Sequence, residues 1–88
     1  MKIIFLRHFY KDLDKLRLRK VKDDVLLVIK NIESTNSISE IKNLKKLSGH
    51  KHAFRIKIGN YRIGVFIENN IVEFARIAHR KDVYNLFP

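Results

Sequence analysis

The sequence predicts an α+β domain, and three patterns carry that prediction. Apolar residues recur at helical spacing between Phe9 and Ile32, and they alternate at strand spacing between Ala53 and Ala78. Two turn dipeptides, Gly59-Asn60 and Asn69-Asn70, divide the alternating half. The expected architecture is an N-terminal edge strand and two antiparallel helices, packed on a three- or four-stranded antiparallel sheet.

The elements follow in chain order. Residues 2–6, KIIFL, form a short run of β-branched and aromatic type that reads as a buried strand. Phe9, Leu13 and Leu16 then share a helix face, with Lys11, Asp12 and Lys15 outside it. The basic segment RLRK at 17–20 turns the chain. Val21, Val25, Val28, Ile29 and Ile32 repeat on one face of a second, stronger helix. Glu33 to Asn36 is a loop, and Ser37-Ile38-Ser39-Glu40 has capping-box spacing for a short helical turn. Leu44 to Leu47 is the next extended run, ended at Gly49. Ala53–Ile58, Tyr61–Ile67 and Ile71–Ala78 are strands of one meander.

Length and composition set bounds. The 88 residues suit one domain, 1–88, with modest stability. The absence of Cys excludes disulfides and thiolate metal sites and gives no argument for an oxidising compartment. The N-terminal apolar run IIFL is too short for a signal peptide or a membrane span, so a cytoplasmic protein with no membrane partner is expected. The net charge is +10, and it is uneven. Residues 1–40 hold nine basic and six acidic side chains, whereas residues 41–88 hold ten and three. No acid lies between Ile41 and Ile67. Such a stretch is the electrostatic footprint of a polyanion or an acidic partner.

Strand register sharpens this footprint. A two-residue Gly59-Asn60 turn, of type II′ because glycine comes first, pairs Ile58 with Tyr61, Lys57 with Arg62, Ile56 with Ile63 and Arg55 with Gly64. The apolar members then face the helices, and Arg55, Lys57 and Arg62 collect on the opposite face. Cross-strand repulsion costs only about 0.2–1 kcal/mol, so folding tolerates the cluster without favouring it. An anion site explains it better than a merely wet face, where acids would mix in. Gly64 leaves a gap in the side-chain layer through which a ligand could reach the backbone. For the next hairpin, a two-residue loop turns Phe74 and Arg76 together toward the helices. A three-residue loop over 68–70 instead sets Arg76 beside Arg62, and this second register is the one expected.

Two stretches carry a family resemblance. The run LKKLSGHKHAFRIKIGNYRIGVF and the ending HRKDVYNLFP together resemble the RelE/ParE superfamily of toxins from prokaryotic toxin–antitoxin pairs, in its RelE-type, archaeal-like branch. The resemblance spans essentially the whole chain. It implies the RelE-like microbial RNase fold, with a short C-terminal helical tail. It also implies a metal-independent, cofactor-free endoribonuclease acting on mRNA in the ribosomal A site. There the RNA 2′-OH attacks the adjacent phosphate, leaving a 2′,3′-cyclic phosphate and a 5′-OH. The implied partners are mRNA, the ribosome and a cognate acidic antitoxin in a hetero-oligomer, the antitoxin covering the basic sheet face and displacing or masking the tail.

Residue by residue, Arg62 matches the arginine of the family's YR strand, a guanidinium clamp for the transition-state phosphate. Arg55 and Lys57 match the basic pair on the preceding strand, Arg80 the tail's basic position and Tyr84 the tail tyrosine, which stacks on a base or orients a hydroxyl. Arg55 stands where a well-studied relative has Lys. An arginine stays protonated, so it clamps phosphate and leaves proton transfer to others. His79, of the type that titrates near neutrality, is expected as acid or base, with Lys57 as its counterpart. Lys42, Lys45, Lys46, Lys51, Arg76 and Lys81 are expected to contact RNA. His50 and His52 lack a third ligand or an accompanying carboxylate and suit RNA or solvent better than a metal. Phe9 and Tyr10 are expected in the helix core, and Asp82 as a cap for the tail turn. Two alternatives share the fold: a ParE-type toxin that poisons DNA gyrase by binding, which the sheet cations argue against, and a non-catalytic RNA-binding member, which the missing carboxylate base allows.

Overall fold

The computed structural model describes residues 1–88. Strand β1 (Lys2–Phe5) leads into helices α1 (Arg7–Lys15) and α2 (Arg19–Glu33). The remainder is β2 (Leu44–Lys46), β3 (Ala53–Ile58), β4 (Tyr61–Glu68), β5 (Ile71–His79) and a short helix α3 (Val83–Leu86). The strands form one sheet in the order β1-β5-β4-β3-β2. The four C-terminal strands are antiparallel, and β1 joins β5 in parallel, matching Phe5 with Phe74.

Alternation decides which face is covered. Ile56, Ile58, Ile63, Val65, Ile67, Val72, Phe74 and Ile77 point to one side of the sheet, where they meet Phe9, Val21, Val25 and Ile32 of the helices. Phe5, Phe9 and Phe74 tie β1, α1 and β5 together, with ring centroids 5.3–5.8 Å apart. Tyr10, expected in the core, points out and is exposed, because one step along a helix turns a side chain away from its neighbour's face. The helix connection is tighter than expected: α2 begins at Arg19, inside the RLRK segment. Glu40 accepts from the backbone N–H groups of Asn36 and Ser37, so the expected capping box closes, on a single 3₁₀ turn.

The first hairpin has the expected register throughout, Lys57 opposite Arg62 and Arg55 opposite Gly64, with Gly59 at φ +59°. The second hairpin corrects the expectation. Asn69 and Asn70 both adopt positive φ, +52° and +63°, and make a two-residue turn of the type I′ kind rather than a three-residue loop. Phe74 therefore faces the helices and Glu73 the open side. A β-bulge at Ala75 then inserts one residue, so Arg76 lies opposite Gly64 and Ala78 opposite Arg62. The bulge keeps the core intact on both sides of it while returning Arg76 to the open face.

Asp12 is a second correction. The helical pattern places it outside, yet it is buried. β1 stops at Phe5, which leaves the edge of β5 unpaired beyond Phe74, and α1 lies along that edge. The Asp12 carboxylate accepts the backbone N–H of Ile77 at 3.0 Å and thus takes the place of a missing strand.

Candidate nucleic-acid interface

The open face of the sheet is laid out in rows by the register. One row holds Lys45, Arg55, Gly64 and Arg76 across β2 to β5, and the next holds Lys57, Arg62 and Ala78. The strand Leu44–Lys46 thus adds Lys45 directly opposite Arg55. Lys46, opposite Phe54, points to the other side, and Lys42 and Lys57 border a cleft with Asp24 and Leu27 of α2. Lys51 lies beside His50 in the loop before β3. All four of these lysines outside the meander are exposed.

Backbone carbonyls hold two of the guanidinium groups. Arg55 donates to the Asn43 carbonyl at 2.8 Å, and that oxygen also accepts the Lys57 N–H. Arg62 donates to the carbonyls of Gly59 and Tyr61 at 2.8 and 2.9 Å, at the hairpin turn. Neither has an acidic partner, and both keep donors free for an anion, since a guanidinium has five. Arg76 differs. It forms a two-bond fork with Asp12, Nε to Oδ2 at 2.8 Å and Nη2 to Oδ1 at 3.1 Å, so its charge is already matched.

The gap at Gly64 is filled from within the chain. The ring of Phe87 lies so close that a Cβ on Gly64 would come within 2.5 Å of it. Phe87 also packs on Phe66 at 4.9 Å, and with Val83, Ala53 and Ala75 it makes a second, smaller core on the open face. The expectation of a ligand approaching the backbone there is therefore replaced by an intramolecular plug.

This plug places the tail. Arg80 donates its N–H to Asn60, Asp82 to His79 and Phe87 to Val83, so the chain turns at Arg80 and runs back over the sheet. Asp82 stands at the start of α3, but its side chain makes no capping bond. Successive helical residues turn by about 100°. With Val83 and Phe87 down on the sheet, and Asp82, Asn85 and Leu86 lining the cleft toward α1, Tyr84 falls on the opposite side. α3 lies over β5 and β4, and the open-face cations Arg55, Lys57 and Arg62 stand on β3 and β4. Tyr84 is 56% exposed, open to a partner.

His79 lies apart from the cations. It pairs with Tyr61 at the sheet end, on the helix side, with ring centroids 5.5 Å apart, and its Nδ1 accepts the Lys81 N–H at 3.2 Å. Lys81 and Arg80 are exposed in the turn that follows. His52 does have a carboxylate beside it: Nε2 is 2.9 Å from Glu68 on the neighbouring strand. Glu68 and Glu73 make the turn-69 end of the open face acidic, opposite in sign to the cationic end.

A scan of family models finds no match. Toxin RelE3 of Methanocaldococcus jannaschii is 35% identical over 89 residues, covering 100% of both chains. The chain belongs to the RelE toxin family. The RelE component of a RelB–RelE antitoxin–toxin complex from Methanococcus jannaschii superposes with a TM-score of 0.82 at 32% identity, over 97% of this chain and 99% of that one. Isolated RelE from E. coli superposes with a TM-score of 0.67 at 20% identity, over 97% and 92%, and shows the shared RelE fold. The fold and family expected from the hairpin and tail motifs are those found. No helix of the chain is long and apolar enough to cross a membrane.

Proposed function

We propose that this RelE-family chain is the toxin of a toxin–antitoxin pair and acts as a ribosome-dependent, metal-independent mRNA endoribonuclease. The observation that carries this reading is the pair of cationic rows, Lys45–Arg55 and Lys57–Arg62, with no acid among them and with Tyr84 exposed on the tail that crosses the same face. Arg55 and Arg62 clamp the scissile phosphate and stabilise the charge that grows on it as the 2′-oxygen attacks and the bond to the 5′-oxygen breaks. The 2′-hydroxyl gives up a proton and the departing 5′-oxygen gains one. Among the cationic rows and the tail beside them, Lys45, Lys57 and Tyr84 are the groups that can exchange protons, because arginine cannot. His79 sits around the sheet end and serves the tail turn, accepting the Lys81 N–H. Arg80, Lys81, Lys45 and Lys51 extend the positive surface for the rest of the RNA, whereas Lys46 points to the helix side and Lys42 borders the α2 cleft. Arg76 holds the fold beside them.

The relatives solved as antitoxin–toxin complexes support a cognate antitoxin as partner. With +10 on this chain, charge complementarity calls for an acidic one. A translating extract supplied with the purified chain tests the reading. Toe-prints at codons in the A site, lost when antitoxin is added, support it. Intact message together with inhibited gyrase supercoiling would replace it with the gyrase-binding alternative, and intact message with tight ribosome binding would leave an RNA binder without catalysis.

A further inference from the structure

The plug at Gly64 connects fold to site through one side chain. α3 is only four residues long, too short to hold itself as a helix in water. Its attachment rests on Val83 and Phe87, which are 1% and 3% exposed, while Tyr84, Asn85 and Leu86 point outward. Phe87 is the larger of the two and sits in a recess that exists only because residue 64 has no side chain. The same row carries Arg55 and Arg76 on either side of Gly64. We propose that Phe87 is the positioning residue of the site: seated in the Gly64 recess, it fixes the side of α3 that presents Tyr84 to the cations on β3 and β4. The functional part of this claim rests on the endoribonuclease reading, whereas the placement of Tyr84 does not.

The test therefore has two arms on the full chain. In the first, nuclear Overhauser contacts of the Tyr84 ring are recorded without RNA. They should reach the side chains of Arg55, Lys57 or Arg62, vanish in Phe87→Ala and Gly64→Ala, and return in Phe87→Leu, while β4–β5 amide shifts stay in place. Contacts to Lys15 and Leu16 instead, or contacts unchanged in Phe87→Ala, would overturn the proposal. In the second, cleavage on ribosomes is measured. Phe87→Ala should lower kcat at least tenfold with KM within twofold, because the cations stay on the sheet, and Phe87→Leu should recover most of it. Tyr84→Ala should add nothing to Phe87→Ala. Additive effects of the two would overturn the proposal. A chain with the expected ring contacts and no cleavage would refute the endoribonuclease reading alone and leave the placement standing.

Discussion

Asp12 and Arg76 grip each other in a two-bond fork across the unpaired edge of β5, and the N–H of Ile77 donates to the same carboxylate. The three bonds tie α1 to the sheet just where β1 has run out. Removing one member of such a buried pair strands the other and costs about 3–5 kcal/mol. Asp12→Ala should accordingly lower unfolding stability by about 3 kcal/mol in a urea titration, with Asp12→Ala/Arg76→Ala losing less than the sum of the singles. Additive losses would mean the fork carries no coupling.

The second hairpin gives a prediction of opposite sign. Asn70 holds a φ of +63° at the second central position of its turn, where glycine meets no Cβ penalty. Asn70→Gly should stabilise by about 0.5 kcal/mol and raise Tm by a few degrees. A lowered Tm would argue against the two-residue turn.

The open-face cations should reveal themselves through salt. Each phosphate contact to single-stranded RNA contributes about −0.7 to the slope of log affinity against log salt. Lys57→Ala and Arg62→Ala should each flatten that slope by about one contact for a non-cleavable oligoribonucleotide. Arg76→Ala should leave it unchanged, since Asp12 already neutralises that charge. Anisotropy titrations at several salt concentrations separate the three.

Tyr84→Phe distinguishes two uses of the tail tyrosine. The substitution keeps the ring and removes the hydroxyl. If the hydroxyl moves a proton or orients the 2′-OH, single-turnover cleavage should fall by about 10²-fold or more, with RNA affinity preserved. If the ring only stacks on a base, Tyr84→Phe should cleave normally and Tyr84→Ala should lose about 1–3 kcal/mol of binding.

What the sequence discloses and what it hides divide along the range of the interaction. The Gly59-Asn60 turn sets the pairing of Lys57 with Arg62 locally, so alternation and turn chemistry suffice to place Arg55, Lys57 and Arg62 on one face, while Lys45 joins them only through the β2–β3 pairing. The bulge at Ala75 satisfies both Phe74 and Arg76, and period-two reasoning cannot anticipate an inserted residue. Asp12 reads as solvent-facing because its partners, Arg76 and Ile77, lie 64 and 65 positions away. The Glu68 beside His52 is hidden for the same reason, as it comes from the far end of the next strand. Gly64 is legible in the sequence as a gap, but its occupant, Phe87, comes from a tail whose path depends on the turn at Arg80. His79 read as part of the site from its neighbours in sequence, whereas its pairing with Tyr61 sends it to the helix side.

In the proposed function, the cationic rows of the open face promote cleavage of RNA by its own 2′-hydroxyl. Direct chemical analysis of the ends of a message incubated with ribosomes and the purified chain tests it. The expected products are 2′,3′-cyclic phosphate and 5′-hydroxyl ends at A-site codons, formed in the presence of a metal chelator wherever the ribosomes remain intact, and abolished by Arg62→Ala with Lys57→Ala. Ends carrying a 5′-phosphate, or cleavage undiminished in that double variant, would contradict it.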